Sequence, residues 1–265
     1  RGWTPPSGVV LAPRRPRPTG RDATIDLFGV FETDHLSPAD PYYWGANRVR
    51  KTAYLGGAPA DAAVCWDSVR PDAVSAASAR ARLAVRGWGR GERPRPLAAV
   101  NGAAATSKHR SPAPPLVEAA VRALVRAGYL VVMADARRYP WAKDPEIAES
   151  VTETVGSTAG EAFALYGEAD VVVTPDSAPL WFAHAFDAPL VYWEGVSGAE
   201  RLLGDYPSGP DRYRVVRQAE KVGCAPCSEH DAACGGRIPC QRALDPDWFA
   251  AETVAAARSL TGTPV

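Results

Sequence analysis

Val171-Val172-Val173-Thr174-Pro175-Asp176-Ser177-Ala178-Pro179 begins with β-branched apolar residues and ends on a polar turn set between two prolines. Leu180 to Phe186 follows with helical composition, and Leu190-Val191-Tyr192-Trp193 is apolar again. Strand, tight turn, helix and strand follow one another with almost no spare chain. Upstream, Leu97-Ala98-Ala99-Val100 reads as a short buried strand, followed by a loop of small residues. From Leu116 to Ala127 the apolar positions 116, 117, 120, 121, 124 and 125 mark one helical face. Gly128 stands where a helix-ending glycine is expected. Leu130 to Ala134 is the next strand, Ala159 to Tyr166 a helix, Asp170 to Thr174 a strand, and Trp248 to Leu260 the last helix. Strands apolar on both faces, alternating with helices, predict an α/β fold. Its C-terminal half is a Rossmann-type, doubly wound parallel sheet.

The first part of the chain is less regular. Residues 1–22 are rich in Pro, Arg and Gly, with Val9 to Ala12 as a short strand. Arg14, Arg15, Arg17 and Arg21 lie in that stretch and read as solvated charges. Ile25 to Phe31 fits a helix or a strand, and Arg48 to Leu55 reads as helical. Ala73 to Leu83 has good helical propensity. Arg86-Gly87-Trp88-Gly89-Arg90-Gly91 and Glu92-Arg93-Pro94-Arg95-Pro96 then carry no apolar period, which marks a boundary. The expected division is a partial or reduced N-terminal region at 1–90 and a Rossmann-type domain at 91–265.

Lys plus Arg and Asp plus Glu are balanced at 30 each, so no overall field attracts nucleic acid or an anionic membrane. No apolar run approaches the roughly 18 residues of a membrane span. The chain begins Arg1-Gly2-Trp3 with neither an initiator Met nor a secretory signal. A processed chain or a piece of a longer one is expected, in the cytoplasm.

In an open parallel sheet, ligands bind beyond the carboxyl ends of the strands, where helix N-termini point. Two loops meet that condition. Asn101-Gly102-Ala103-Ala104-Ala105-Thr106-Ser107-Lys108-His109-Arg110 has small residues that admit a phosphate to the backbone. Lys108 adds positive charge, with Thr106 and Ser107 beside it as further donors. The same loop also reads as a solvated turn with a surface lysine. In the second loop, Asp176 or Ser177 can cap the following helix. Alternatively, the amides of Ser177 and Ala178 cradle a phosphate, with Asp176 in the same turn.

Four of the five cysteines, Cys224, Cys227, Cys234 and Cys240, follow a C-x2-C-x6-C-x5-C pattern. Reduced cytoplasmic thiols so clustered usually bind metal, and tetrahedral sulfur coordination suits zinc or iron. Disulfides and free thiols are the alternatives. His230 lies inside the cluster, and Cys65, between Val64 and Trp66, reads as a core residue. One metal ion would draw the sulfurs within roughly 4 Å of one another, at about 2.3 Å from zinc. Four protein ligands leave no open position, so the metal would be structural.

The run from strand 171–174 through Asp176-Ser177-Ala178-Pro179 to Asp187-Ala188-Pro189-Leu190-Val191-Tyr192-Trp193-Glu194-Gly195 resembles the signature of glycosyltransferase family 9, the heptosyltransferases. The Gly102 to Lys108 loop is similar to the family's lysine-bearing loop. Gly156-Ser157-Thr158-Ala159-Gly160-Glu161 resembles its threonine segment, which makes Thr158 a candidate donor contact. The segment from Cys224 onward resembles a cysteine-bearing tail, and in autotransporter heptosyltransferases a related cluster holds iron. The resemblance covers about 95–265. Family members usually carry Gly where Ala178 stands and His where Trp181 stands.

The resemblance implies a GT-B-like architecture with a reduced or truncated first domain. It implies inverting transfer of a heptose-like or hexose sugar from a nucleotide-diphosphate-sugar donor to a glycan, lipid or protein hydroxyl, without a catalytic divalent metal. The donor contacts it implies are Lys108, Thr106, Ser107, Thr158, Asp176, Ser177 and Ala178. The catalytic base belongs to the first domain in the family. Asp26, Glu32 and Asp34 are acidic candidates in that region, and nothing singles one out. A catalytically inactive nucleotide-binding module and a metal-stabilised scaffold are the alternatives.

Overall fold

Six short strands carry the architecture, all parallel, in the order β3-β2-β1-β4-β5-β6. The computed structural model describes residues 70–89, 91, 94–104, 110–133, 144–154, 157–217 and 243–263. The chain divides into two units: Arg1–Cys65 with Glu200–Asp205, and Trp66–Ala199 with Tyr206–Val265. The second unit holds the sheet. It begins before the Gly- and Pro-rich stretch at 86–96 and so takes in the first described helix.

The elements, in chain order, are α1 (Ala73–Val85), β1 (Leu97–Val100), α2 (Pro114–Arg126), β2 (Leu130–Met133), α3 (Pro145–Ala148), β3 (Val151–Glu153), α4 (Ala159–Glu168), β4 (Val171–Thr174), α5 (Ala178–Phe186), β5 (Leu190–Glu194), α6 (Ala199–Leu203), a short 3-10 turn (Pro210–Arg212), β6 (Tyr213–Arg217) and α7 (Pro246–Thr261). Alternate residues of each strand feed opposite faces. Ala98, Val100, Val131, Met133, Val171, Val173, Val191 and Trp193 pack against α2 and α7. Leu97, Leu130 and Val132 pack on the other face, with Ala79 and Leu83 of α1 and Ala164 and Leu165 of α4. Both faces are therefore covered, as parallel sheets require.

The apolar stripe of α2 is buried at Leu116, Val117, Ala120, Val121, Leu124 and Val125. It ends where expected. Gly128 takes φ +93°, Gly128 N donates to Val125 O and Tyr129 N to Leu124 O. A side chain would strain at that backbone angle.

β1 pairs with β2 on one side and β4 on the other. The chain first winds outward through β2 and β3, then returns to β4 on the opposite side of β1. The crevice between β1 and β4 is the topological switch point, where doubly wound sheets bind their ligands. The first and last strands in the order, β3 and β6, are polar at one or more positions and half-buried in part. Among the described residues no helix is long and apolar enough to cross a membrane. Cys224, Cys227, Cys234, Cys240, His230 and Cys65 lie outside the described residues, as do Thr106, Ser107, Lys108, Asp26, Glu32 and Asp34.

Candidate functional site at the switch point

The β1–β4 ladder continues one step past the strand ends, where Asn101 N donates to Val173 O at 2.9 Å. The loops after β1 and β4 therefore leave the sheet together. Asn101 is only 4% exposed. Its Nδ2 donates to Ala103 O at 2.7 Å and to Ser177 Oγ at 3.0 Å, with Thr174 Oγ1 at 3.4 Å. Because Ala103 O only accepts, the short contact identifies the nitrogen end of the amide. At the far end of the same loop, Ser111 Oγ accepts from Ala104 N at 2.9 Å. That bond joins the two flanks of the lysine-bearing segment.

The second loop has two side chains able to cap α5, and both face elsewhere. Ser177 is the N-cap residue and makes no side-chain capping bond. Its hydroxyl lies 2.8 Å from Thr174 Oγ1. Asp176, 4% exposed, accepts from Ser197 Oγ at 2.5 Å and faces the Arg110 guanidinium at 3.5 Å. Tyr192 in turn donates its hydroxyl to Ser197 O at 2.7 Å. Asp176 thus ties together the loops that follow β1, β4 and β5. Ala178, the first residue of α5, is exposed.

Beyond β5, Glu194 is fully buried. Its Oε1 accepts from Ala199 N at 3.0 Å and from Arg217 at 3.3 Å. A buried carboxylate is tolerated when hydrogen-bonded and paired in this way.

Thr158 stands apart from this group. It caps α4 in a reciprocal box, accepting from Glu161 N at 3.1 Å and donating its own amide to Glu161 Oε2 at 2.9 Å. Its helix follows the outermost strand, β3. Of the described donor candidates, the structure brings together Asp176, Ser177 and Ala178 and leaves Thr158 outside. Asn101, Arg110 and Ser197 complete the cluster. Asn101 and Arg110 bound the first loop in the sequence, but only their cross-loop partners reveal their part. Nothing local marks Ser197.

His184, near the C-terminal end of α5, faces the interior with no exposed surface. Its ring lies 5.2 Å from Trp181 and edge-on to Tyr206 at 4.5 Å. Burial pushes its pKa down from 6.5 to about 4, and the Asp187 charge opposes that only in part. The unfolded chain therefore binds a proton that the folded one refuses between those two values. This contribution to stability is complete above pH 6.5 and falls away as the pH drops toward 4, by about 3 kcal/mol in all. Urea unfolding at pH 7 and pH 4.5 should show His184→Leu losing less stability on acidification than the parent. Equal losses in the two proteins would remove His184 as the cause.

No protein-family model matches the sequence, and no curated protein matches it. Solved structures do. ADP-heptose lipopolysaccharide heptosyltransferase II of E. coli is 17% identical with a TM-score of 0.50, over 79% of this chain and 62% of that one. The iron-containing dodecameric glycosyltransferase TibC of enterotoxigenic E. coli H10407 is 17% identical with a TM-score of 0.51, over 83% of this chain and 57% of that one. TibC has also been solved in complex with ADP-D-beta-D-heptose. A glycosyl transferase family 9 protein of Veillonella parvula DSM 2008 is 16% identical with a TM-score of 0.50, over 81% of this chain and 58% of that one. The chain has the α/β, GT-B-like fold of these glycosyltransferases. More closely, that fold is heptosyltransferase-like, of the family 9 kind. The chain spans about three fifths of the length of the structures it matches.

Proposed function

We propose that the chain is the donor-binding part of an inverting glycosyltransferase, which moves a sugar from a nucleoside diphosphate to an acceptor hydroxyl. One observation carries this reading. At the switch point, the start of α5 has no side-chain cap, although Asp176 and Ser177 both stand there. A helix N-terminus in that condition attracts a phosphate. The ADP-heptose complex of TibC supports a nucleotide sugar as ligand. In this reading the amides at Ser177 and Ala178 face the diphosphate, and Lys108 supplies the positive charge. A base outside the described residues removes the acceptor proton as the acceptor oxygen attacks the anomeric carbon. The bond to the diphosphate breaks, and the cation and amides hold the charge that develops on the leaving group. No catalytic divalent metal is required.

Calorimetry against ADP, UDP and GDP sugars is the direct test. A ligand should emerge from that panel, and Lys108→Ala should weaken it by about 1–3 kcal/mol, the scale of a charge-assisted hydrogen bond. The loss should shrink as salt rises. Unchanged affinity would make Lys108 a surface residue, and no binding by the parent protein would overturn the functional reading.

The cysteine cluster is proposed to hold one structural zinc or iron ion through Cys224, Cys227, Cys234 and Cys240, a donor set that suits either metal. Elemental analysis should find about one ion per chain in the parent and none in Cys224→Ser/Cys227→Ser. Equal metal content in the two proteins would refute it.

A further inference from the structure

The helix α1 inverts the usual arrangement of a surface helix. Its inward face is ordinary, with Ala79 and Leu83 buried and Ala76 packed beside them. The outward face of such a helix normally carries charged and polar residues. Here Ala73, Val74, Ala77, Ala81, Ala84 and Val85 are all exposed. At about 100° per residue they fall on one stripe, about a third of the circumference wide. Val74 and Val85 are 80% and 88% exposed, and they are the exposed large hydrophobic residues of the described chain. Arg80 and Arg82 flank the stripe, one on each side, and both turn to α4. Arg80 meets Glu168 at 3.8 Å and Arg82 meets Glu161 at 3.7 Å. The stripe itself is left apolar and without charge.

It is also its own complement. Reversing α1 about Ala79 exchanges Ala73 with Val85, Val74 with Ala84, and Ala77 with Ala81. An antiparallel second copy therefore meets every valine with an alanine. Large residues facing small ones interdigitate, and the central alanines let the backbones approach. The same reversal sets Asp72 at the start of one helix level with Arg86 at the end of the other, at both ends of the pair. It also opposes the two helix dipoles.

We propose that α1 is a self-association surface, on which a second copy of this chain packs its own α1 antiparallel about a twofold axis. Such an interface is isologous, so one patch must fit itself, and this stripe does. The Arg80–Glu168 and Arg82–Glu161 bridges neutralise the charges that would otherwise repel across the axis. A pair of helices of 13 residues each, roughly 20 Å long, lies at the low end of specific interfaces, under about 1,200 Å² in total. The dimer is therefore concentration-dependent. Donor binding plays no part in it.

Sedimentation velocity of the full chain between about 1 and 100 μM should show a monomer–dimer equilibrium. Val74→Glu should weaken the dimer at least about tenfold, because each chain then sets a carboxylate against the apolar face of the other. Within one chain Val74 is exposed, and a glutamate in the first turn suits a helix N-terminus. The urea midpoint of the dilute protein should therefore not fall. Val74→Glu/Ala84→Lys in one chain should recover the dimer, since the antiparallel register places each glutamate beside the partner's lysine. A parallel pair, or a dimer formed elsewhere, gives no such recovery. A parent that stays monomeric throughout, a dimer that Val74→Glu leaves intact, or a double variant without recovery overturns the proposal. A lower urea midpoint for dilute Val74→Glu would place the stripe against residues of its own chain, and that also overturns it.

Discussion

Trp193→Ala should destabilise the protein by about 3–5 kcal/mol, the cost of deleting a buried tryptophan. For a domain of this size that corresponds to a fall in Tm of roughly 10 °C. Trp193 sits on β5 with no exposed surface and lies 5.1 Å from the Phe249 ring of α7. Its Nε1 donates to Thr253 Oγ1 at 2.9 Å, and Thr253 donates onward to Phe249 O at 2.8 Å. Truncation therefore opens a cavity at the β5–α7 seam and removes a donor from a buried hydroxyl. Trp193→Phe should recover most of the loss, leaving about 1 kcal/mol for the missing hydrogen bond. Urea unfolding reads both values. A loss under about 1 kcal/mol for the alanine variant would mean that the seam is not part of the core.

Asp176→Ala should have the second largest effect, and it should act on stability and binding together. The carboxylate is buried and joins Ser197 to Arg110 across three strand-end loops. Breaking a fully buried ion pair costs about 3–5 kcal/mol. Here Arg110 retains 15% of its exposure and the pair stands at 3.5 Å, so about 2–3 kcal/mol is the expected loss. The loops then lose their spacing at the switch point, and nucleotide affinity should fall about tenfold, or 1.4 kcal/mol. Asp176→Asn keeps the shape and the Ser197 contact and removes only the charge, so it should fall between the parent and alanine. Stability within about 0.5 kcal/mol of the parent, typical of an inert surface change, would show that Asp176 does not tie the loops.

The legible parts of the fold were those in which one residue pattern had one physical use. Central strands such as Val171–Thr174 are buried on both faces and read as continuous apolar runs. The stripe at Leu116 to Val125 has one helical period. β3 and β6, the outer strands of the sheet among the described residues, were not legible, because polar and charged residues interrupt their apolar pattern: Val151-Thr152-Glu153 and Tyr213-Arg214-Val215-Val216-Arg217. Ala73–Val85 was legible as a helix but not as part of the second unit. Its attachment is made by Ala79 and Leu83 packing beneath the sheet, with Ser78 hydrogen-bonded to Glu161 of α4. Those contacts lie far apart in the chain, and no local pattern encodes them.

The sequence by itself determined the alternation of strand and helix, the two loops that follow β1 and β4, and the resemblance to the heptosyltransferase family. These follow from periodicity and from residue types that act within a few positions of one another. Only the tertiary structure decided what the polar residues in those loops do. Asp176 and Ser177 are equally good caps for α5 when only their own segment is considered. Asn101, Arg110 and Ser197 reach them from neighbouring strand ends and take both side chains away from the helix. The outcome depends on hydrogen bonds between residues that become neighbours only when β4 settles between β1 and β5, and that placement is a property of the whole sheet.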